Sequence, residues 1–363
     1  MQTKRTGYVW HELYGWHDTG NYAGLLPPGG FIQPGITFEN PETKTRFASL
    51  VEVSGFINYL ERITPTAATV DDLMRVHSRD HIERIQTESL TGGGDAGDGI
   101  SPVGRGSYEV ALLAAGGTIS AARAVTEGIV RNAYALVRPP GHHALPDSGM
   151  GYCIFANIAI AIEWVRAHTQ YRRFAVVDLD VHHGNGTETI YREDADVLTI
   201  SIHQDRLFPQ NSGLITQTDQ AAINIPLPAG CGNGAYASAM TRVVLPALER
   251  HSPDMIFVAA GFDASANDPL GRMSVTARGF FDVASSLVAA ADKLCEGRLV
   301  MSHEGGYSAP YVPFCGLAVL EALAGESSGV QDPFEPIWGP SPQHAVQPWQ
   351  TDTIAAAAEA AGL

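Results

Sequence analysis

Apolar and polar positions along the chain follow two periods, which predicts an α/β protein. Short apolar runs bounded by Gly, Pro or charged residues recur, and longer segments with a helical period separate them. The runs predict strands at Gly7–Trp10, Ala133–Val137, Phe174–Leu179, Val197–Ile202, Ile223–Leu227, Met255–Ala260 and Leu299–Ser302. The amphipathic segments predict helices at Tyr108–Thr126, Phe155–His168, Ala235–Arg250, Thr276–Leu294 and Tyr311–Leu323. Strands that alternate with helices favour a central, mostly parallel β-sheet flanked by helices, in a single domain over residues 1–363.

Length and charge narrow the class of protein. The 363 residues, 45% hydrophobic and 17% charged, are ordinary for one large globular domain. A net charge of −16 argues against a nucleic-acid partner and favours cationic substrates such as basic peptides or polyamines. No apolar run approaches the about 18 residues that span a membrane, and Met1–Arg5 leads into a predicted strand without a secretory leader. We expect a cytoplasmic protein without a membrane partner. The sequence leaves open whether the chain forms a homo-oligomer.

Two features that could indicate other functions are discounted. Gly92–Gly97 satisfies a dinucleotide fingerprint by letter, but it follows no apolar strand and leads into no helix. The irregular segments Asn21–Pro41 and Gly92–Gly106 instead predict loops that frame an entrance. The four cysteines form no Cys-x-x-Cys pair, which argues against structural zinc and a disulfide framework.

Three separate stretches contain the residue types that a metal-activated water requires. The stretches are Arg138–Ala144, Asp178–Asn185 and Gly261–Pro269. Catalytic zinc takes three protein ligands and a water, whose pKa then falls to roughly 7. Asp180 and His182 share one face of a strand end because strand side chains alternate. A third ligand would come from the loop after a later strand, where Asp268 fits and Asp263 is an alternative.

A tandem histidine pair completes this set of residues. His142 and His143 lie in a loop braced by Pro and Gly, which can aim two imidazoles at the water. A His-His pair or an Asp-x-His triplet alone would more often be an ordinary loop or strand end. Their joint occurrence favours a metal-dependent hydrolase.

These stretches resemble the histone deacetylase family, zinc-dependent amidohydrolases that remove acetyl groups from lysine or polyamine nitrogen. The resemblance extends from Gly7–Trp10 to His303–Tyr307 and includes Gly151-Tyr152-Cys153 and Ser201-Ile202-His203. Tyr8-Val9-Trp10, Tyr14-Gly15-Trp16 and Phe155-Ala156-Asn157 are most similar to the bacterial histone-deacetylase-like amidohydrolases, which resemble class II enzymes. The resemblance implies a single-domain arginase/deacetylase-like fold and hydrolysis of an N-acyl-lysine amide.

The resemblance also implies roles for individual residues. It implies zinc ligands at Asp180, His182 and Asp268, and it therefore favours Asp268 over Asp263 as the third ligand. It implies His143 as general base and acid, His142 as its electrostatic partner, Asp178 and Asn185 as the residues that orient them, and Tyr307 as the oxyanion donor. Because Asp178 is charged and Asn185 is neutral, the pKa values of the two histidines should differ.

For the substrate, the resemblance implies a tunnel. The expected contacts are the Gly151 carbonyl, aromatic walls at Tyr152 and Phe208, Leu270 at the rim, and Gly305 and Gly306. Relatives that select polyamines have a Glu where this chain has Leu270, so we expect acyl-lysine to be preferred over acetylpolyamines. Monovalent cations, potassium foremost, are implied at an inner site of Asp178, Asp180, His182, Ser201 and Ile202, and at an outer site of Tyr191, Asp194 and Val197.

Three other functions are weighed against this one. An acetylpolyamine amidohydrolase uses the same chemistry on another substrate. A ureohydrolase with two manganese ions would need an Asp where this chain has Gly184. A non-catalytic acyl-lysine binding module lacks the catalytic Tyr, and Tyr307 argues against it.

Overall fold

The computed structural model describes residues 5–363, and a sheet of eight parallel strands lies at its centre. The strands are β1 (Thr6–Val9), β2 (Leu60–Ile63), β3 (Gly94–Asp95), β4 (Pro102–Val103), β5 (Ala133–Ala135), β6 (Phe174–Asp178), β7 (Val197–Gln204), β8 (Ala222–Leu227), β9 (Met255–Ala260) and β10 (Leu299–His303). The sheet order is β2-β1-β5-β10-β9-β6-β7-β8, and β3 pairs separately with β4. The expected absence of a leader concerns residues 1–4, which lie outside the described residues.

Helices cover both faces of the sheet. They are α1 (Glu42–Val53), α2 (Val70–Leu73), α3 (Arg79–Thr91), α4 (Ser107–Thr126), α5 (Asn157–His168), α6 (Asn185–Tyr191), α7 (Asn233–Ala239), α8 (Leu245–His251), α9 (Ala277–Cys295), α10 (Val312–Ala324), α11 (Glu335–Trp338) and α12 (Pro348–Ala360). Short 3-10 turns lie at Glu12–Trp16, Phe56–Tyr59, Ile215–Gln217 and Pro342–His344. A π-helical turn at Met240–Val244 joins α7 to α8.

The core lies on both sides of the central strands. Every residue of β6, β9 and β10 is buried, so these strands are covered on both faces. Met255 and Phe257 belong to the cluster that includes α4 and α5, whereas Ile256 and Val258 belong to the cluster that includes α9. Each such side chain contributes roughly 1.5–3 kcal/mol by burial, so these layers hold the strand ends in fixed register.

The predicted sheet is confirmed, and the differences lie at its edge, in the helices and in Gly92–Gly106, where the predicted loop contains the short antiparallel pair β3–β4. The pattern missed β2 because it is an edge strand in which Leu60 is buried but Glu61 and Arg62 are exposed. It also missed α1 and α3, whose mostly polar sequences bury only a narrow apolar stripe.

The carboxyl ends of the central strands converge on one edge of the sheet. Asp178 ends β6, Gly261 follows β9 and Glu304 follows β10. Open parallel sheets bind ligands at this edge, and the motifs of the sequence lie there. Over residues 5–363, none of the helices combines the length and apolar character needed to span a bilayer.

Candidate active site

The tandem histidines lie in the loop after β5, and each imidazole has its own partner. His142 Nδ1 lies 2.9 Å from Asp178 Oδ2. His143 Nδ1 lies 2.7 Å from Asn185 Oδ1, at the start of α6. Because Nδ1 of each ring donates to one of these oxygens, Nε2 is the ring nitrogen that remains available for proton transfer. The structure therefore brings these four residues together as two pairs.

The two histidines have opposite electrostatic surroundings. Burial alone would lower the pKa of His142, but the charges of Asp180 and Asp178 raise it well above its ordinary value. Burial lowers the pKa of His143, and the positive charges of His142 and His182 lower it further. His142 is therefore the cationic member of the pair and His143 the neutral one, which is the form that a general base needs.

A compact group of possible metal ligands lies beside the histidines. The ligand atoms of Asp180, His182 and Asp263 all lie within 4.8 Å of one another. His182 Nδ1 lies 2.9 Å from Asp180 Oδ1 and 3.1 Å from Asp263 Oδ2. A Cβ at Gly305 would lie 2.3 Å from Asp263 Oδ2 and 2.5 Å from Asp180 Oδ2, so only glycine fits against this group.

Asp268 lies next to this group and is held by backbone N–H donors. Its Oδ2 accepts the N–H of Tyr307 at 2.7 Å, and its Oδ1 accepts the N–H of Leu270 at 2.8 Å. Burial raises the pKa of Asp268 to about 6, although these N–H donors and the charge on His182 lower it. The compact group thus contains Asp263, while Asp268 approaches it from the loop that carries Leu270.

The residues present fit a zinc ion. Burial alone would lower the pKa of His182, yet hydrogen bonds to Asp180 and Asp263 raise it to about 10. Burial and the charge of Asp180 raise the pKa of Asp263 to about 8. Crowded carboxylates create a field that a cation relieves. Zinc accepts this combination of imidazole nitrogen and carboxylate oxygen ligands.

A narrow cavity of about 210 Å³ leads to these groups. Its lining comprises Leu25, Ile100, His143, Gly151, Tyr152, His182, Leu207, Phe208, Leu270 and Tyr307. No Asp, Glu, Lys or Arg of the described chain is among the lining residues. Such a cavity suits an uncharged aliphatic stem with a polar group at its inner end.

Aromatic side chains form two walls of this cavity. The Phe208 ring stands edge-on to His143, with ring centroids 5.1 Å apart and planes at 89°. On the other side Tyr152 contacts Tyr307, with ring centroids 5.9 Å apart. Gly305 and Gly306 are not among the residues that line the cavity, and Gly305 donates its N–H to Asp180 Oδ2 at 2.8 Å. Their predicted contact with substrate stays a prediction.

Gly151 lies where the wall meets the histidine loop. Its φ is +54°, and a Cβ there would lie 2.4 Å from the His143 ring. Its N–H donates to Asp98 Oδ2 at 2.7 Å, and its carbonyl oxygen lies 3.7 Å from Cys153 Sγ. The entrance loop that contains Asp98 therefore connects directly to the wall. The predicted contact of the Gly151 carbonyl with substrate stays a prediction.

The residues predicted to bind monovalent cations lie in two places: the inner set lies on β6, on β7 and in the loop that follows β6, and the outer set lies on a turn before β7. Asp178 pairs in register with Ser201 on β7. The N–H of Asp194 donates to Tyr191 O and the N–H of Val197 donates to Asp194 O, so the outer set forms one turn. The Asp194 carboxylate pairs with Arg166 at 2.6 Å, which leaves backbone oxygens as ligands there. Both cation sites stay predictions.

Three buried charges lie behind Tyr307 and were not singled out from the sequence. Glu39 pairs with Arg138 at 2.8 Å and with Lys44 at 3.2 Å. Burial would raise the pKa of Glu39, but the two cations outweigh it and lower the pKa to about 2. The Lys44 ammonium lies 5.6 Å from the centre of the Tyr307 ring. This network supports the back of the site.

A larger open groove of about 730 Å³ lies elsewhere, between α9 and α10. Its floor includes Phe281, Phe314 and Leu317, and its rim includes Glu321 and Asp332. It contains no His or Cys of the described residues. Size alone does not make a catalytic site, so the smaller cavity that ends at the histidines is the candidate.

Comparisons with known proteins identify the family. The histone deacetylase domain matches residues 37–323. The chain is 49% identical to a histone deacetylase-like amidohydrolase of Pseudomonas aeruginosa over 339 residues, 91% of this chain and 89% of that protein. It is 35% identical to a probable deacetylase of Archaeoglobus fulgidus over 340 residues, 90% and 89% of the two chains. The crystal structure of the HDA15 HD domain matches with a TM-score of 0.85 and 28% identity, over 99% of this chain and 94% of that one. Because these matches span the site described above, we conclude that the chain belongs to the histone deacetylase family.

Proposed function

We propose that the protein is a zinc-dependent deacylase that hydrolyses the side-chain amide of N-acyl-lysine. The observation that carries this proposal is a cavity without Asp, Glu, Lys or Arg among its described lining residues. It reaches His143, one of two differently paired histidines, and His182 of the carboxylate group. The elements of a metal-assisted amide hydrolysis therefore lie within one small volume.

Asp180, His182 and Asp268 would hold the zinc, with Asp263 bonded to His182 from behind. When bound, zinc supplies Lewis-acid polarisation and an activated water. We assign Asp263 a supporting role because the family resemblance makes Asp268 the third ligand; the Oδ1 of Asp263 accepts the N–H of Val181 at 2.7 Å. Such outer partners orient the ligand imidazole and strengthen its basicity.

The side chains around the acyl group would divide the proton transfers and the charge. His143, neutral and oriented by Asn185, removes a proton from water and later gives it to the leaving amine. His142, cationic beside Asp178, stabilises the negative charge that develops on the acyl carbon's oxygens. The Tyr307 hydroxyl donates to the same oxyanion, and burial raises its pKa so that it stays protonated.

The cavity wall favours acyl-lysine over polyamines. An acetylpolyamine would bring an ammonium to a rim formed by Leu25, Ile100, Leu207 and Leu270, where no carboxylate of the described wall would pair with it. A lysine stem presents only methylenes there. The net charge of −16 attracts any cationic substrate, but that attraction is screened beyond about 8 Å.

The rival two-manganese site is sterically disfavoured. A Cβ at Gly184 would lie 2.1 Å from Asp178 Oδ2, so the extra Asp of a ureohydrolase has no room here. We further propose potassium at the two predicted sites, no nucleic-acid partner, and a cytoplasmic location. Four free, buried cysteines without a disulfide support a reducing compartment.

The deciding experiment profiles the purified, zinc-loaded protein on matched substrates. Peptides with acetyl-lysine and longer acyl-lysines are compared with acetylspermidine and acetylputrescine, and a chelated sample regains activity only when zinc returns. We expect the highest kcat/KM on an acyl-lysine. Preference for an acetylpolyamine would reject the substrate class, and release of urea from arginine would reject the chemistry.

A further inference from the structure

Glu304 links the end of β10 to the tandem-histidine loop. It is 1% exposed and is the first residue after the strand. Its Oε2 accepts the N–H of Gly141 at 2.6 Å and the N–H of His142 at 3.0 Å. One carboxylate oxygen therefore holds two consecutive backbone donors of a loop that lies 163 residues earlier in the chain.

The other anchors of this loop hold different atoms. The His142 carbonyl accepts the N–H of Gly186 at 3.0 Å, and its imidazole is held by Asp178. The N–H groups of Gly141 and His142 are held by Glu304. The loop is also tightly packed, since a Cβ at Gly141 would lie 2.6 Å from the backbone nitrogen of Asn157.

The second carboxylate oxygen is unusual. Glu304 Oε1 is buried and has no hydrogen-bond partner among the described residues. Burying an unpaired carboxylate oxygen is costly, and such exceptions are few in native proteins and each calls for an explanation. Burial also raises the pKa of Glu304 to about 7.

We propose that Glu304 is a positioning residue for catalysis: by holding the N–H groups of Gly141 and His142, it sets where the two imidazoles point. Its effect on turnover rests on the proposed function. The hydrogen bonds themselves can be measured without any activity.

Two substitutions separate the hydrogen bonds from the side-chain volume. Glu304→Met removes both acceptor oxygens at similar volume, whereas Glu304→Gln keeps one carbonyl oxygen that can accept both N–H groups. Ser302→Ala is the matched control, because Ser302 is buried on the same strand and its hydroxyl bonds Thr118 at 3.1 Å, away from the loop.

Two readouts are taken on each zinc-loaded variant: hydrogen exchange of the backbone amides over residues 138–144, and kcat and KM per bound zinc on an acetyl-lysine peptide. We expect Glu304→Met to speed exchange and to lower kcat about 10- to 100-fold, the range for groups that orient catalytic side chains. KM should stay within about threefold, because the lysine stem contacts other residues. Glu304→Gln should restore most of the protection and of kcat, and Ser302→Ala should resemble the wild type.

Unchanged exchange or unchanged kcat in Glu304→Met would overturn the inference, as would a Gln variant as impaired as the Met variant. If Glu304→Met does not fold, Glu304→Asp replaces it with the same expectations, because the shorter carboxylate cannot reach both donors. A wild-type protein that hydrolyses no acyl-lysine would reject the proposed function instead, and hydrogen exchange would still decide the role of Glu304.

Discussion

The imidazole rings of His142 and His143 lie with their centroids 3.9 Å apart and their planes inclined by 40°. Two buried imidazoles this close cannot both be protonated at low cost, because like charges repel strongly there. A carboxylate stands behind His142 and an uncharged amide stands behind His143. The pair therefore has one position for a positive charge and one for a neutral base, which separates the two chemical roles.

The first prediction concerns the third metal ligand. Metal analysis should find about one zinc per chain, and Asp268→Ala should lower zinc affinity more than Asp263→Ala. The reason is that Asp268 would be a ligand, whereas Asp263 only holds the ligand His182. Loss of such an outer partner lowers metal affinity about 10- to 100-fold. Zinc titration of the two variants measures this order. The reverse order would make Asp263 the ligand, and two tightly held manganese ions would overturn the zinc assignment.

The second prediction concerns groups that act on the transition state. Tyr307→Phe should keep zinc but lower kcat on the order of 10²–10³, as for loss of one oxyanion donor. His143→Ala should keep zinc and lower kcat on the order of 10²–10⁴. Steady-state kinetics with metal analysis measures both effects. The surface variants Tyr59→Phe and His168→Ala are the controls, and near wild-type turnover in either site variant would remove its assigned role.

The third prediction concerns the cavity walls. A hydroxamate on a linear apolar linker should inhibit, because the linker fills the space between Tyr152 and Phe208. Replacing both aromatics with Ala should weaken linker-dependent binding by about 1–3 kcal/mol per side chain, with zinc content unchanged. Calorimetry with long-linker and short-linker hydroxamates measures the difference. Trp349→Ala, on an exposed ring of α12 outside the cavity, should have no effect, and equal affinity in the double variant would place the linker elsewhere.

The fourth prediction concerns substrate selection at the rim. Leu270→Glu should shift the ratio of kcat/KM toward acetylpolyamines on the order of tenfold or more, because a charged acceptor for an ammonium is worth about 1.5–3 kcal/mol. Leu270→Gln, similar in size but uncharged, separates charge from polarity. If both variants shift the ratio equally, or neither does, Leu270 does not select the substrate.

The fifth prediction concerns the buried charges behind the site. Glu39→Gln should destabilise the protein by about 3 kcal/mol at pH 7, because Arg138 and Lys44 lose their buried counter-charge. The pKa of Glu39 is about 2 in the fold against an ordinary 4.5, so its contribution is complete above pH 4.5 and disappears as pH falls toward 2.

Denaturant unfolding of wild type and Glu39→Gln between pH 7 and about pH 3 measures this dependence. The difference between the two free energies of unfolding should shrink as the pH falls. A difference that is independent of pH would mean that the substitution acts through packing and not through charge.

Much of the sheet could be predicted from local pattern. The buried strands β6, β9 and β10 begin with runs of consecutive apolar residues, because a strand covered on both faces favours apolar residues at successive positions. The edge strand β2 could not be predicted in this way, since only one of its faces packs and its sequence reads as polar. Motif residues at strand ends were likewise visible, but only their joint occurrence indicated a site, because a single His-His pair or Asp-x-His triplet is more often an ordinary loop or strand end.

The sequence by itself determined which residue types stand at the ends of the central strands, and therefore the class of chemistry. Only the tertiary structure decided that Asp263 lies against His182, that Asp98 holds Gly151, and that Glu304 holds the loop before His143. The physical reason is the separation along the chain over which each kind of interaction acts. Periodicity and capping depend on neighbours a few residues away, whereas these contacts join segments up to 163 residues apart and exist only once strand register and helix packing have fixed the distance between them.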